Sequence, residues 1–113
     1  MKPHIKVFLN DESDLRFFGE GPCRLLHAVE ETGSLRKAAL SMNMAYTKAL
    51  SLIRHAQEVL GYPLTETSIG GKGGGGSRLT PQAKEFLKKY ETYRDKCREA
   101  NQRIYLEIFS DQR

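Results

Sequence analysis

The stretch Ser34–Leu60, SLRKAALSMNMAYTKALSLIRHAQEVL, decides the fold. Ser34 offers a capping hydroxyl after Gly33, a natural helix stop. The short helix it opens, about Leu35 to Ser41, turns Leu35, Ala38 and Ala39 inward, and such small residues let another helix approach closely. Met42-Asn43-Met44 interrupts the pattern, and Asn43 tolerates the left-handed conformation of a tight interhelical turn. A longer helix follows over about Ala45 to Leu60. Ala49, Ile53, Ala56 and Leu60 form its apolar stripe, while Thr47, Ser51, Arg54 and Glu58 repeat on another face. Two helices joined by so short a turn form a helix-turn-helix unit.

Working outward, Leu25, Leu26 and Val29 share one face of a helix over Cys23–Thr32. Before it, His4–Leu9 alternates with period two and Leu15–Phe18 is a second short strand, with the polar turn Asn10–Asp14 between them. Such a hairpin is marginal alone and needs support from another element. Towards the C-terminus, Gly61 and Pro63 end the long helix, and Leu64–Ile69 reads as a strand. Gly70–Gly76, with Lys72 inside it, suits neither helix nor strand, and Ser77-Arg78-Leu79 returns as the partner strand. Three helices followed by strand, loop and strand is the order of a winged helix-turn-helix.

Thr80-Pro81 then starts a helix free of Gly and Pro up to Phe109. Phe86, Tyr90, Tyr93, Cys97, Ala100 and Ile104 step by four and three along it, a heptad seam that predicts a dimer interface, with Ile108 one place off register. The expected architecture is therefore mainly α with small β hairpins. A winged helix-turn-helix occupies residues 1–79, and a long C-terminal dimerisation helix occupies 80–113.

Charge supports an anionic partner. The 113 residues carry 18 Lys and Arg against 14 Asp and Glu. Residues 34–80 hold six basic groups and only Glu58 and Glu66 as acids, so the middle is short of carboxylates that would oppose a phosphate. In a winged-helix reading, Thr47, Lys48, Ser51 and Arg54 face base edges in the major groove, and His55 reaches a phosphate. Arg54 is the candidate guanine reader, with an ion pair to Glu58 as its alternative. Ser34 presents a helix start to a phosphate beside Arg36 and Lys37, and the wing contributes Lys72 and Arg78.

Other chemistries fare poorly. Gly71–Gly76 formally fits a dinucleotide-binding pattern, but in a glycine run the match is nearly automatic, and no alternating strand–helix order surrounds it. His4, His27 and His55 stand in no catalytic spacing, and Cys23 and Cys97 read as helix-interface fillers. No enzyme activity, no metal and no cofactor are expected. No membrane-length apolar run and no secretion signal occur, so the expected setting is a reduced cytoplasm.

Glu31–Leu35, Lys37-Ala38-Ala39, Met44-Ala45-Tyr46, Leu60–Leu64 and above all Gly70–Thr80 together resemble the N-terminal DNA-binding domain of ModE-type molybdate regulators. The resemblance implies a LysR-like winged helix that pairs through its terminal helix. The expected function is a homodimeric transcriptional regulator on double-stranded DNA, whose two reading helices on a two-fold axis address an inverted repeat. It adds Ala45, Tyr46 and Ser77 to the DNA-facing residues. Asn43 stands where the family commonly has Gly, and Ala45 where it commonly has Ser, which removes a cap and one phosphate contact. The family's molybdate-binding module follows this domain, and the sequence here ends at Arg113, so molybdate binding is not expected. The alternative reading is a protein-interaction module on a winged-helix scaffold with only non-specific DNA affinity.

Overall fold

A computed structural model describes residues 1–68 and 76–111. Its elements are β1 (Leu9–Asn10), β2 (Arg16–Phe18), α1 (Glu20–Thr32), α2 (Leu35–Ser41), α3 (Tyr46–Leu60), β3 (Thr65–Ser68), β4 (Gly76–Leu79) and α4 (Pro81–Phe109). β1 pairs antiparallel with β2, and β3 with β4, as two separate hairpins. The order is that of a winged helix-turn-helix with a long C-terminal helix.

Helix α1 starts three residues earlier than its apolar pattern indicates, because Gly21 and Pro22 both fit a first turn whose amide hydrogens lack helical partners. It ends at Gly33, whose φ of 73° is the left-handed cap conformation and whose N–H donates to the Val29 carbonyl at 2.8 Å. The Ser34 hydroxyl then accepts from the Lys37 amide at 3.1 Å and opens α2. Asn43, with φ of 53°, makes the turn into α3, where the Met44 N–H donates to the Ala39 carbonyl at 2.9 Å. Leu25, Leu26, Val29, Leu35, Ala38, Ala39, Ala49, Ile53 and Ala56 close around one another as the three-helix core. The alanines set the close approach of α2 and α3.

The first hairpin gains its support from the core. Asp11 Oδ1 accepts from the amides of Ser13 at 2.8 Å and Leu15 at 3.0 Å, fixing the turn. Phe18 is fully buried, its ring edge-on to Phe86 at 4.8 Å and to Tyr90 at 5.0 Å. The strand expected over His4–Leu9 is reduced to Leu9–Asn10. Residues Met1–Phe8 form no strand, yet Pro3, Ile5, Val7 and Leu9 are half-buried in alternation with exposed neighbours. This arm lies along α4: the Tyr90 hydroxyl donates to the Val7 carbonyl at 2.7 Å, and the Tyr105 hydroxyl donates to the Met1 carbonyl at 3.1 Å. Fifteen helical residues rise roughly 22 Å, which six extended residues match at about 3.5 Å each. The period of two thus reports a helix alongside, not a sheet.

Thr80 joins the second hairpin to α4. It is buried, its hydroxyl donates to the Pro63 carbonyl at 2.7 Å, and it accepts from the Ala83 amide at 3.1 Å. Its own N–H donates to the Leu64 carbonyl at 3.0 Å. Ala83, Leu87 and Tyr90 bury the first three turns of α4. Phe86 and Tyr90, expected on a free heptad seam, pack inside their own chain against Phe18, because the hairpin delivers an aromatic ring to that spot. From Tyr93 onward the helix projects beyond the core, which gives the molecule its 60 Å long axis. No helix among the described residues is long and apolar enough to cross a membrane.

Candidate nucleic-acid interface

Burying Ala49, Ile53 and Ala56 turns the opposite side of α3 to solvent. There Thr47, Lys48, Ser51 and Arg54 are all exposed, spaced to form one outward stripe. A shallow groove runs along this stripe, walled by Leu50, His55 and Glu58 as well. Among the described residues neither Arg54 nor Lys48 has a carboxylate within ion-pair distance, so the Arg54–Glu58 pairing is not formed. An arginine held by no carboxylate loses no existing ion pair on meeting an anion.

Beside α3, the Arg36 guanidinium sits 4.1 Å from the centre of the Tyr46 ring, so α2 and α3 share a cation–π contact at their N-terminal ends. Lys37 is exposed next to it, and Ser34 is half-buried with its oxygen committed to the Lys37 amide. Ala45 precedes α3 in extended conformation and makes no side-chain cap, as its lack of a hydroxyl dictates.

Two of the assigned residues each meet a carboxylate of their own chain. His55 Nε2 lies 3.2 Å from Asp11 Oδ2, so the imidazole N–H donates to the hairpin carboxylate while about a third of the side chain stays open to solvent. The cause is the Asp11 turn, which the core seats over the middle of α3. The Leu15 amide holds the Asp11 carboxyl below the usual carboxylate range, with His55 and Ser13 adding to the effect against the burial that opposes it. Arg78, in β4, donates from Nε to Glu66 Oε1 across the hairpin at 3.0 Å, although both remain largely open to solvent. Lys72 lies outside the described residues. Ser77 is half-buried, and its N–H donates to the Gly33 carbonyl at 2.8 Å.

One cluster escaped the sequence reading. Cys23 and His27 on α1 and Glu91 on α4 bring one ligand-type atom each to within 4.8 Å of the others. The available signal was the four-residue spacing of Cys23 and His27 on one helix face.

These elements and this exposed helix define the chain as a winged helix-turn-helix protein. It is, more particularly, similar to the ModE-type regulators over roughly two thirds of its length. It is 45% identical over 74 residues to the molybdenum transport protein ModE of Herbaspirillum seropedicae, covering 66% of this chain and 26% of that protein. It is 34% identical over 68 residues to the transcriptional regulator ModE of Haemophilus influenzae, covering 60% and 27% respectively. Similarity to the molybdenum-pterin-binding protein MopB of Rhodobacter capsulatus is 33% identity over 66 residues, covering 58% and 24%. The chain thus spans about a quarter of the length of the curated relatives it matches. No family model matches it.

Proposed function

We propose that this chain is the DNA-binding part of a transcriptional regulator, acting as a homodimer on an inverted-repeat duplex without catalysing a reaction. The observation that supports it most is the exposed stripe Thr47, Lys48, Ser51 and Arg54 on a helix whose opposite side is locked into the core. In this reading α3 enters the major groove, and Arg54 pairs with two acceptors of one guanine. Arg36, Lys37 and the start of α2 meet the sugar-phosphate chain, and the wing between β3 and β4, with Lys72 and Arg78, follows the backbone beside the groove. Ala45 and Tyr46 stand at the edge of this contact. The proposal assigns the 113 residues no molybdate ligand.

Dimerisation is proposed through the part of α4 that its own core leaves free: Tyr93, Cys97, Ala100 and Ile104, with Ile108 one turn further on. Tyr93 is 52% exposed and Ile104 49%, and the two stand eleven residues apart on one side of the helix. Two copies meeting there would relate their reading helices by a two-fold axis, which an inverted repeat mirrors.

The experiment is selection of bound duplexes from a random-sequence pool, followed by affinity of the enriched set against salt. Enrichment of an inverted repeat, bound at least about a thousandfold more tightly than bulk DNA, supports the reading. Enrichment of nothing, with binding that vanishes near physiological salt, overturns it in favour of a protein-docking role.

A further inference from the structure

We propose that Cys23, His27 and Glu91 form a three-ligand site for a borderline-soft divalent cation, of which Zn²⁺ is the type, bridging α1 to α4. Cys23 and His27 are one helical turn apart on the same face of α1, and Glu91 reaches them from α4. His27 Nε2 and Glu91 Oε2 already stand 3.2 Å apart. Two ligands about 2.0–2.1 Å from a tetrahedral zinc ion are separated by roughly 3.3–3.4 Å, so the pair needs almost no movement to hold one. The thiol lies within 4.8 Å of both, against roughly 3.5 Å between sulfur and a nitrogen or oxygen ligand of tetrahedral zinc, so loading draws it in by about 1 Å at most.

Thiolate, imidazole and carboxylate are the three donor types zinc favours, and the thiolate and carboxylate together balance its double charge. Access is on the solvent side, where the side chains of His27 and Glu91 are 45% and 32% exposed, while Cys23 forms the closed floor. A fourth position on that side is left to water. Arg94 is the cation that faces the site, 3.8 Å from Glu91 Oε2 and against the Cys23 thiol, so a bound metal ion must displace it from both. It is also held by Glu20 at 3.4 Å and Asp95 at 3.0 Å, so Glu91 can turn to a metal without leaving the guanidinium unpaired. Burial, with Glu91 and Glu20 nearby, pushes the Cys23 thiol up to about 11, so metal entry releases a proton to solvent. Bound there, the cation would fix the angle between the three-helix core and the long helix.

The test uses the whole chain and Co²⁺ as a probe, with Zn²⁺ competing. One equivalent of Co²⁺ per chain should give the near-ultraviolet thiolate charge-transfer band, retained in Cys97→Ser and removed by Zn²⁺. His27→Gln, at a half-exposed position outside the buried core, should weaken Zn²⁺ at least about tenfold, since even outer-shell changes cost that much. Glu91→Gln should do the same, and Cys23→Ser should abolish the band. No band in the unaltered chain overturns the proposal. So does a band that survives Cys23→Ser, disappears with Cys97→Ser, or binds unchanged in His27→Gln.

Discussion

The carbonyl of Gly33 accepts the N–H of Ser77 at 2.8 Å, tying the base of the wing to the turn that opens α2. The neighbouring Gly76 lies so close that a Cβ there would stand 2.5 Å from the same Gly33 oxygen. Only glycine lets the two backbones meet. Gly76→Ala is expected to displace β4 and cost about 1–3 kcal/mol, the usual range for forcing an extra methyl group into packed structure. Urea unfolding measures this, and duplex affinity should fall with it because the wing shifts relative to α2. Unchanged stability would show that the contact carries no constraint.

Arg54 and Arg36 separate reading from clamping. Arg54→Ala should relax base preference at one position in each half-site, at about 1–3 kcal/mol of discrimination. Arg36→Ala removes a cation from the phosphate side and its contact with Tyr46, so it should weaken all duplexes alike and lower the salt dependence by roughly one phosphate equivalent. Competition between the selected duplex and bulk DNA distinguishes the two. Equal, uniform losses from both substitutions would contradict the assignment.

Asp11 makes stability depend on acid. Its folded pKa is depressed by the Leu15 amide above all, so the unfolded chain takes up its proton first as pH falls. The stabilisation is complete above the ordinary aspartate value of 3.8 and is lost as pH drops through the lower folded value. Asp11→Asn should lower the melting temperature at neutral pH and flatten the acid limb that begins near the ordinary aspartate value of 3.8. The same substitution weakens the partner of His55. A parallel acid limb in the variant would show that the loss of stability belongs to other carboxylates.

Ile104→Glu should convert a dimer to monomers without unfolding the core, since this position is half exposed in the single chain. Sedimentation at several concentrations reads the change, and circular dichroism checks that the helices persist. A chain that is monomeric before substitution would rule the proposed seam out.

Much of this architecture was legible because its signals are local. The caps made by Ser34, Gly33 and Thr80 and the turn at Asn43 act on backbone within four residues, so they could be placed from sequence. What stayed hidden depends on partners far along the chain. His55 meets a carboxylate 44 residues away, which anchors the first hairpin to α3. Phe86 and Tyr90 continue a regular heptad, yet Phe18 arrives from a different element and takes both rings. Ile5 and Val7 alternate as a strand would, because an extended arm on a helix shows the same period as one in a sheet. The Cys23, His27 and Glu91 cluster needs two helices to be assembled before it exists.

The arm has a mechanical consequence. From Tyr93 the last helix is a cantilever of seventeen residues, roughly 26 Å long, with its root in the core. The first eight residues act as a stay, fastened near the root at Val7 and near the free end at Met1. A stay of that length resists bending in the plane it spans, so the lever's direction is set partly by the opposite end of the chain. In the proposed pair, the spacing between the two reading helices, and with it the spacing of half-sites, would then depend on how the first residues of each chain brace its lever.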